Sequence, residues 1–363
     1  VAFNLGSYYK INCKISGKVF DVRDESLNNG AYIQQYTWKN IDGQKFMVYP
    51  LDNGTYAFAS KLSGKVFSVR AASMDNQAVI EQYDWSAEDK QKFYLTLQEA
   101  NYYSGTSQLS GKVWDVRDSS THNQALIQQY TWKDIDGQKF SFTPVDTISV
   151  PSTTTTPLPG VPEYHGYNDQ LPDQTYPVVT AYTVAPFFAI SDPRYGTNTA
   201  RQVKENPYYL YIRKEYWKLL QSHTFAPGED ATFVYRTGIS TVDQTASSTT
   251  TSTTIGADGG LQFKKLSVGL SSQYTTELQT SQSTTDAEMK EQEVAITLTN
   301  IHPYPVAWSK YILVREYHVE RSDGSIVNTP WTVSLPNRTQ SVYYPNEEML
   351  RRPVLIEFEN YSL

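Results

Sequence analysis

The chain has 363 residues and a net charge of −7, and these values exclude some classes of protein. The length predicts two domains, because a domain commonly contains about 100 to 200 residues. The acidic balance argues against nucleic acid as the main partner, since binding to phosphates needs clustered Lys and Arg.

The composition also favours a β-rich protein that is soluble as produced. Charged residues make up 19% of the chain and there are 28 tyrosines, which suits β-structure and hydrogen bonding to a neutral polar ligand. The single cysteine, Cys13, cannot form an internal disulfide. The opening residues lack the basic and apolar segments of a secretory signal, and no apolar run approaches the roughly 18 residues of a transmembrane helix.

The first part of the chain contains three copies of one unit. Residues 16–46 read SGKVFDVRDESLNNGAYIQQYTWKNIDGQKF, and related sequences without insertions occupy 63–93 and 110–140, so that the copies are 47 residues apart. Self-similarity at a fixed period indicates a repeat architecture.

Each repeat alternates short apolar runs with turn signals. Runs such as KVFDV and AYIQQY are separated by Asn-Gly, Asp-Gly or Asn-Gln, which predicts β-strands joined by tight turns. A propeller needs about four to eight blades, whereas three copies can close on a pseudo-threefold axis. We therefore predict a β-trefoil over residues 1–146, with Val19, Val22, Ile33 and Phe46 and their counterparts in its core.

The ends of the repeats resemble a known lectin signature. Each repeat ends in Gln-Lys-Phe, which is similar to the Gln-x-Trp repeat of ricin B-type lectins. The resemblance implies a shallow galactose-type site in a repeat. The residues carried over are Asp21, Gln34, Tyr36 and Gln44 in the first repeat and Asp115, Gln128, Tyr130 and Gln138 in the third.

The chemistry of these residue types fits a sugar ligand. A carboxylate accepts hydrogen bonds from two adjacent hydroxyls, and an aromatic ring covers the apolar face of a sugar. Gly43 and Gly137 stand where the lectins usually have Asn. The middle repeat has Ser68 and Glu81 at the Asp and Gln positions, so we expect its site to be weak or inactive although Tyr83 and Gln91 remain.

A structural role is the alternative for the same residues. Asp21 with Arg23, and Asp115 with Arg117, could form ion pairs at strand ends. Glutamines such as Gln44 could serve only to satisfy buried backbone groups.

A linker and a different domain follow the repeats. Residues 147–172 are rich in Pro and Thr, which favours an extended spacer. Residues 173–363 contain β-branched and aromatic runs that predict an elongated, antiparallel β-rich domain. The run YYLYIRKEYWKLL has the length of a helix, but its Tyr and Ile content and the preceding Pro207 favour a strand.

Ser/Thr-rich tracts surround an alternating apolar segment in this domain. Residues 245–254 and 271–285 are almost entirely polar, and Ile255, Leu261 and Phe263 lie between them in an alternating pattern. Such a pattern is ordinary for a half-buried strand. It also fits a membrane hairpin over 250–285, because each spanning strand needs about 9 to 11 residues. A single hairpin cannot close a barrel, so insertion would require a homo-oligomer.

The whole arrangement resembles the binary-toxin-like (Bin or Tpp) insecticidal proteins of spore-forming bacilli. The resemblance rests on the N-terminal repeats, the Pro-rich joint, the PYYLYIRKEYW segment and the Ser/Thr-rich tracts. It implies an aerolysin-type pore-forming domain that acts at a target cell membrane after proteolytic activation. It also implies a glycan or glycoprotein receptor, production as a crystal or by secretion, and in some relatives a second toxin component. The haemolytic lectins of fungi are a similar alternative.

Catalytic signatures are not recognisable in the sequence. The five histidines have no metal-ligand spacing, and no Gly-x-Ser-x-Gly motif is present. We therefore expect no enzyme activity, cofactor or metal, although the paired carboxylates of a glycosidase have no motif. A lectin or adhesion protein with a β-rich stalk is the stronger alternative to a toxin.

Overall fold

The computed structural model describes residues 3–263, 274, 278, 281, 287–346 and 355–361. Strands dominate the described part of the chain, and they form two regions with different architectures.

The N-terminal region is a β-trefoil built from the three repeats. Its strands are β1 (Ser7–Cys13), β2 (Val19–Val22), β3 (Ile33–Tyr36), β4 (Phe46–Pro50), β5 (Tyr56–Ser60), β6 (Val66–Val69), β7 (Ile80–Tyr83), β8 (Phe93–Glu99), β9 (Tyr102–Ser107), β10 (Val113–Val116), β11 (Ile127–Tyr130) and β12 (Phe140–Thr147). The long pairs β1–β12, β4–β5 and β8–β9 alternate with the short pairs β2–β3, β6–β7 and β10–β11, all of them antiparallel.

Three equivalent aromatic residues meet in the trefoil core. Phe20, Phe67 and Trp114 are 47 residues apart, and their ring centres lie 5.5 to 5.9 Å from one another. Trp114 is larger than its two counterparts, and a Cβ on Gly105 would lie 2.3 Å from its ring. The third repeat therefore accommodates the larger ring by omitting a side chain opposite it. The predicted core residues Val19, Val22, Ile33 and Phe46 are all buried, as expected.

Buried glutamines join each repeat to the next one. Gln82 Nε2 donates to Ser26 O at 2.8 Å and to Asn28 O at 2.9 Å, while Ser63 Oγ donates to Gln82 Oε1 at 2.7 Å. Gln35 and Gln129 make the same three contacts in the other repeats. The amide nitrogen of each glutamine thus joins two repeats, while its carbonyl oxygen accepts from a serine of its own repeat.

The C-terminal region is antiparallel and contains two α-helices in its described residues. The elements are β13 (Val178–Pro186), α1 (Thr199–Glu205), β14 (Tyr208–Phe225), β15 (Asp230–Thr237), α2 (Thr241–Thr251), β16 (Thr253–Ile255), β17 (Leu261–Phe263), β18 (Gln292–Thr299), β19 (Val306–Glu320), β20 (Trp331–Tyr344) and β21 (Ile356–Tyr361). A four-stranded sheet has the order β13-β14-β19-β20, and a three-stranded sheet has the order β15-β18-β21. The fold class predicted from the sequence, a β-trefoil followed by an antiparallel β-rich domain, is confirmed.

Several local predictions for this region can be compared with the structure. The YYLYIRKEYWKLL run is a strand, since it lies within the 18-residue β14. The polar tract 245–254 is largely helical, because α2 runs to Thr251 with the Ser240 hydroxyl accepting from the Asp243 amide at 3.1 Å. Strand β20 was not among the predicted strands. It contains Pro336, which it tolerates because it is the last strand of its sheet.

The candidate membrane hairpin is described only in part. β16 and β17 pair with each other, and Ile255 and Leu261 are buried in the core of the domain. The alternating pattern from Ile255 to Leu261 therefore belongs to two short strands joined by a turn. Most of residues 264–286, including Leu266 and Val268, lie outside the described residues.

The Pro-rich segment packs along the C-terminal domain. Trp217 Nε1 donates to Pro159 O at 2.9 Å, and Tyr311 Oη donates to Pro172 O at 2.7 Å. The segment has no strand of its own between Thr147 and Asp173. Aromatic side chains of the C-terminal domain thus bind two carbonyl groups of this segment.

The middle repeat of the trefoil contacts the C-terminal domain. The Trp85 and Phe188 rings lie 4.6 Å apart, and Thr199 Oγ1 donates to Ser63 O at 2.7 Å. A Cβ on Gly64 would lie 2.4 Å from Thr199 O, so this close approach requires glycine. The equivalent glycines of the other repeats have no described atom within 4 Å of such a Cβ. A single hydrophobic core crosses the contact between the domains.

Candidate functional site

Strand pairing in the first repeat places the predicted ligands in one cleft. Asp21 on β2 is opposite Gln34 on β3, and Gln34 Nε2 donates to Asp21 Oδ1 at 2.8 Å. Tyr36 follows two residues after Gln34, and alternation along the strand puts both on the same face. These three residues line a cleft of about 400 Å³. The cleft presents a carboxylate, an amide and an aromatic ring to a ligand.

The third repeat reproduces this arrangement. Asp115 is opposite Gln128, and Gln128 Nε2 donates to Asp115 Oδ1 at 2.8 Å. Tyr130 ends the same strand, β11. The structure therefore brings Asp, Gln and Tyr together in both repeats in which the sequence predicted a site.

Burial governs the protonation of the two aspartates. Asp21 is 5% exposed and Asp115 is 6% exposed. Loss of hydration raises the pKa of both carboxyl groups, and hydrogen bonds from Gln34 and Gln128 oppose that rise without cancelling it. Partly buried carboxylates with remaining acceptor capacity are suited to accepting hydrogen bonds from ligand hydroxyls.

A lysine lies beside the tyrosine in each cleft. Lys39 Nζ is 4.5 Å from the centre of the Tyr36 ring, and Lys133 Nζ is 4.4 Å from the centre of the Tyr130 ring. These distances indicate cation–π contacts. A sugar that stacks on either ring therefore meets an ammonium group next to it.

The glutamines of the Gln-Lys-Phe motif have a different environment. Gln44 is fully buried; its Oε1 accepts from the Lys39 amide at 2.7 Å and its Nε2 donates to Thr37 O at 3.0 Å. Gln138 makes the equivalent contacts with its own loop. Hydrogen bonding from both glutamines also opposes the rise in the pKa of the adjacent aspartate. Their geometry holds the loop that carries the lysine, and direct sugar binding by either glutamine stays a prediction.

The middle repeat lacks the Asp–Gln pair. Ser68 is opposite Glu81, and Arg70 Nε lies 3.9 Å from Glu81 Oε2. Burial raises the pKa of Glu81, and Arg70 opposes that rise. Tyr83 is exposed and Gln91 closes its loop as Gln44 does. The expected weakness of this site stays a prediction.

The sequence did not identify all residues that line the first cleft. Asp24, Glu25 and Lys39 line it from the first repeat, and Gln124 reaches it from the third. The cleft therefore lies at the boundary between two repeats. The Asn-Gln turn at 123–124 marked this position only as a turn.

No helix among the described residues is long and apolar enough to cross a membrane. In the same part of the chain, no group of three or more His, Cys, Asp or Glu side chains is arranged to hold a metal ion.

Comparison with known families identifies the N-terminal domain. Residues 2–83 and 89–156 match the family described as "Ricin-type beta-trefoil lectin domain-like". Together with the fold, this match defines the class: a two-domain protein in which a ricin-type β-trefoil precedes an antiparallel β-rich domain.

The relatives of the chain are insecticidal proteins of bacilli. It is 30% identical over 189 residues to the binary larvicide subunit BinA of Lysinibacillus sphaericus, covering 52% of this chain and 50% of the relative. It is 30% identical over 211 residues to the subunit BinB, covering 56% and 46%. The chain is thus a homologue of the binary-toxin-like insecticidal proteins, as the resemblance in sequence predicted. It spans about half the length of these curated relatives.

A solved structure extends the likeness to both domains. The crystal structure of Cry35Ab1 matches 96% of this chain and 92% of its own chain, with a TM-score of 0.75 and 20% identity. The insecticidal crystal protein Cry35Ab1 comes from Bacillus thuringiensis. At this identity the likeness establishes the fold, including the way in which the trefoil precedes the β-rich domain.

Proposed function

We propose that this chain is an insecticidal toxin that binds a cell-surface glycan through its trefoil, oligomerises and inserts a β-barrel pore in gut epithelial membranes. The observation that carries the glycan-binding step is the paired Asp–Gln–Tyr arrangement of the first and third repeats. Asp21 and Asp115 are each buried beside a strand-paired glutamine. A terminal galactose-type sugar is the ligand class that the lectin resemblance favours.

The toxic steps are supported by the homology to binary larvicide subunits. In the proposed sequence, receptor binding concentrates the protein on the membrane and multiplies weak sugar contacts. Proteolytic trimming activates the chain, and residues 250–285 then pair with neighbouring copies in the membrane. The names of the relatives as binary subunits make a second toxin component a candidate partner.

Glycan binding is tested first with matched variants. The wild-type chain, the double variant Asp21→Ala/Asp115→Ala and the control Ser68→Ala are applied to a glycan array and to a galactose resin. We expect the double variant to lose retention and the control to keep it, because Ser68 replaces the carboxylate in the middle repeat. Equal retention of all three proteins contradicts sugar binding at these clefts.

Pore formation is tested on vesicles that carry the receptor. Protease-treated chain is added to receptor-bearing liposomes loaded with dye, and oligomers are analysed by SDS electrophoresis without heating. A pore-forming toxin releases dye and yields SDS-resistant oligomers. Agglutination without dye release supports the alternative function, a lectin with a β-rich stalk.

A further inference from the structure

The two Asp–Gln clefts differ in the hydrogen bonding of the glutamine side-chain carbonyl oxygen. In the third repeat, Arg117 Nε donates to Gln128 Oε1 at 2.8 Å, and Arg117 Nη2 donates to Gln77 O at 3.0 Å. In the first repeat, Gln34 Oε1 is buried and has no hydrogen-bond partner among the described residues. The glutamine carbonyl oxygen therefore has a hydrogen-bond donor in the third-repeat cleft, whereas in the first-repeat cleft it is buried and has no donor among the described residues.

The orientation of one arginine accounts for the difference. Arg23 is the counterpart of Arg117, but its Nε lies 3.7 Å from Asp24 Oδ2 and the structure shows no bond from it to Gln34. Gln124, the counterpart of the acceptor residue Gln77, has the same backbone φ of +70° and lines the first-repeat cleft. The difference between the clefts therefore lies in the residues around Arg23.

The sequence next to the arginine provides the physical cause. The first repeat reads Arg-Asp-Glu at 23–25, and the third reads Arg-Asp-Ser at 117–119. Glu25 adds a second negative charge beside Asp24, whereas Ser119 adds none. The larger negative charge attracts the Arg23 guanidinium towards the loop and away from the strand.

We propose that the first-repeat cleft is the saccharide site that is open in the free chain and that Arg117 closes the third-repeat cleft. This inference rests on the proposed glycan-binding function and names the residues that decide which repeat binds. The ligand is a saccharide with two adjacent hydroxyls. One hydroxyl donates to Gln34 Oε1, which otherwise lacks a donor, and the other donates to the Asp21 carboxylate.

The residue that follows the Arg–Asp pair is the determinant of this closure. Glu25 keeps the first cleft open, and Ser119 lets Arg117 reach Gln128. A saccharide that enters the third cleft must displace a charge-assisted contact, and its affinity falls accordingly.

Isothermal titration of the full chain with lactose tests the inference. We expect one site per chain for the wild type and two for Arg117→Ala and for Ser119→Glu. Glu25→Ser should weaken the first site at least fivefold, because Arg23 can then occupy Gln34 Oε1. Asp21→Ala should reduce binding at least fivefold more than Asp115→Ala does. The middle-repeat variant Arg70→Ala is the control and should leave the site number at one, since Ser68 provides no carboxylate.

The outcomes separate this inference from the function on which it rests. A wild type that already shows two equal sites, or one that loses more affinity with Asp115→Ala than with Asp21→Ala, overturns the closure by Arg117 and leaves glycan binding intact. No binding by the wild type or by Arg117→Ala, either to lactose or on a glycan array, contradicts glycan binding itself. Unchanged thermal unfolding of each variant shows that the comparison concerns folded protein.

Discussion

Replacement of Gln82 by Ala is expected to destabilise the trefoil strongly. The side chain is fully buried and makes three hydrogen bonds, to Ser26 O, to Asn28 O and from Ser63 Oγ. Alanine leaves two carbonyl groups and one hydroxyl without this partner and creates a cavity between two repeats. At about 0.5 to 1.5 kcal/mol for each hydrogen bond, the loss is about 1.5 to 4.5 kcal/mol before any cavity cost.

Urea unfolding of the full chain, followed by tryptophan fluorescence, measures this loss. Gln98→Ala on the exposed end of β8 is the matched control and should change the free energy of unfolding by less than about 0.5 kcal/mol. Gln82→Glu should cost more than the control as well, because a carboxylate would face the two carbonyl oxygens. A loss below about 1 kcal/mol for Gln82→Ala would refute the view that these glutamines hold the repeats together.

Two further predictions concern the C-terminal domain and its contact with the trefoil. Arg321→Ala should cost about 3 to 5 kcal/mol at pH 7, because it leaves the Asp192 carboxylate, now 2.7 Å from Arg321 Nη2, buried and unpaired. Arg321 holds the pKa of Asp192 below its usual value of about 3.9. The stability that the ion pair contributes is therefore fully present above about pH 3.9 and is lost as the pH falls through the lowered pKa. Urea unfolding between about pH 7 and pH 2 should show that the difference in the free energy of unfolding between wild type and variant shrinks as the pH falls. Gly64→Ala should destabilise the chain by about 1 to 3 kcal/mol more than Gly111→Ala in thermal unfolding. Both glycines have φ of +70°, but only the new Cβ of Gly64 would meet Thr199 O, so equal costs would contradict the tight contact between the domains.

The trefoil could be predicted because the same sequence pattern occurs three times at a fixed spacing. The predicted core position Phe46 recurs 47 residues later as Phe93 and again as Phe140, and all three side chains are buried. In the C-terminal domain each strand is present once, and tertiary contacts decide the outcome. Helix α2 forms in a Ser/Thr tract of low helix propensity because the Ser240 cap and packing compensate for it.

The candidate site shows a similar limit. Asp21, Gln34 and Tyr36 come together as predicted, since strand alternation and pairing bring them onto one face. Gln35, next to Gln34, has the same chemistry but points to the opposite face and joins two repeats. The alternation of side chains along β3 is enough to assign Gln34 to the cleft and Gln35 to the contact between repeats. The position of an exposed arginine such as Arg23 depends on neighbouring charges, and no motif encodes it.

The sequence also indicates which side of the trefoil contacts the second domain. On the outer face of β4, Met47 and Tyr49 are buried against the C-terminal domain. The equivalent positions of β8 are Tyr94 and Thr96, which are exposed. A comparison of the hairpins between repeats, rather than of the repeats themselves, would have predicted the contact surface.

The contact between the C-terminal domain and one side of the trefoil, which includes the middle repeat, has a consequence for the design of variants. The three repeats have the same length, and the glutamine contacts that close the ring are the same at each boundary. A variant in which each repeat takes the place of the next one along the chain would therefore keep the trefoil core. In that variant Gly64 and Trp85 would lie a third of a turn away from the second domain. The contacts between repeats are equivalent, whereas the outer surfaces of the repeats differ. The order of the copies along the chain therefore determines which cleft lies on which side of the trefoil relative to the second domain.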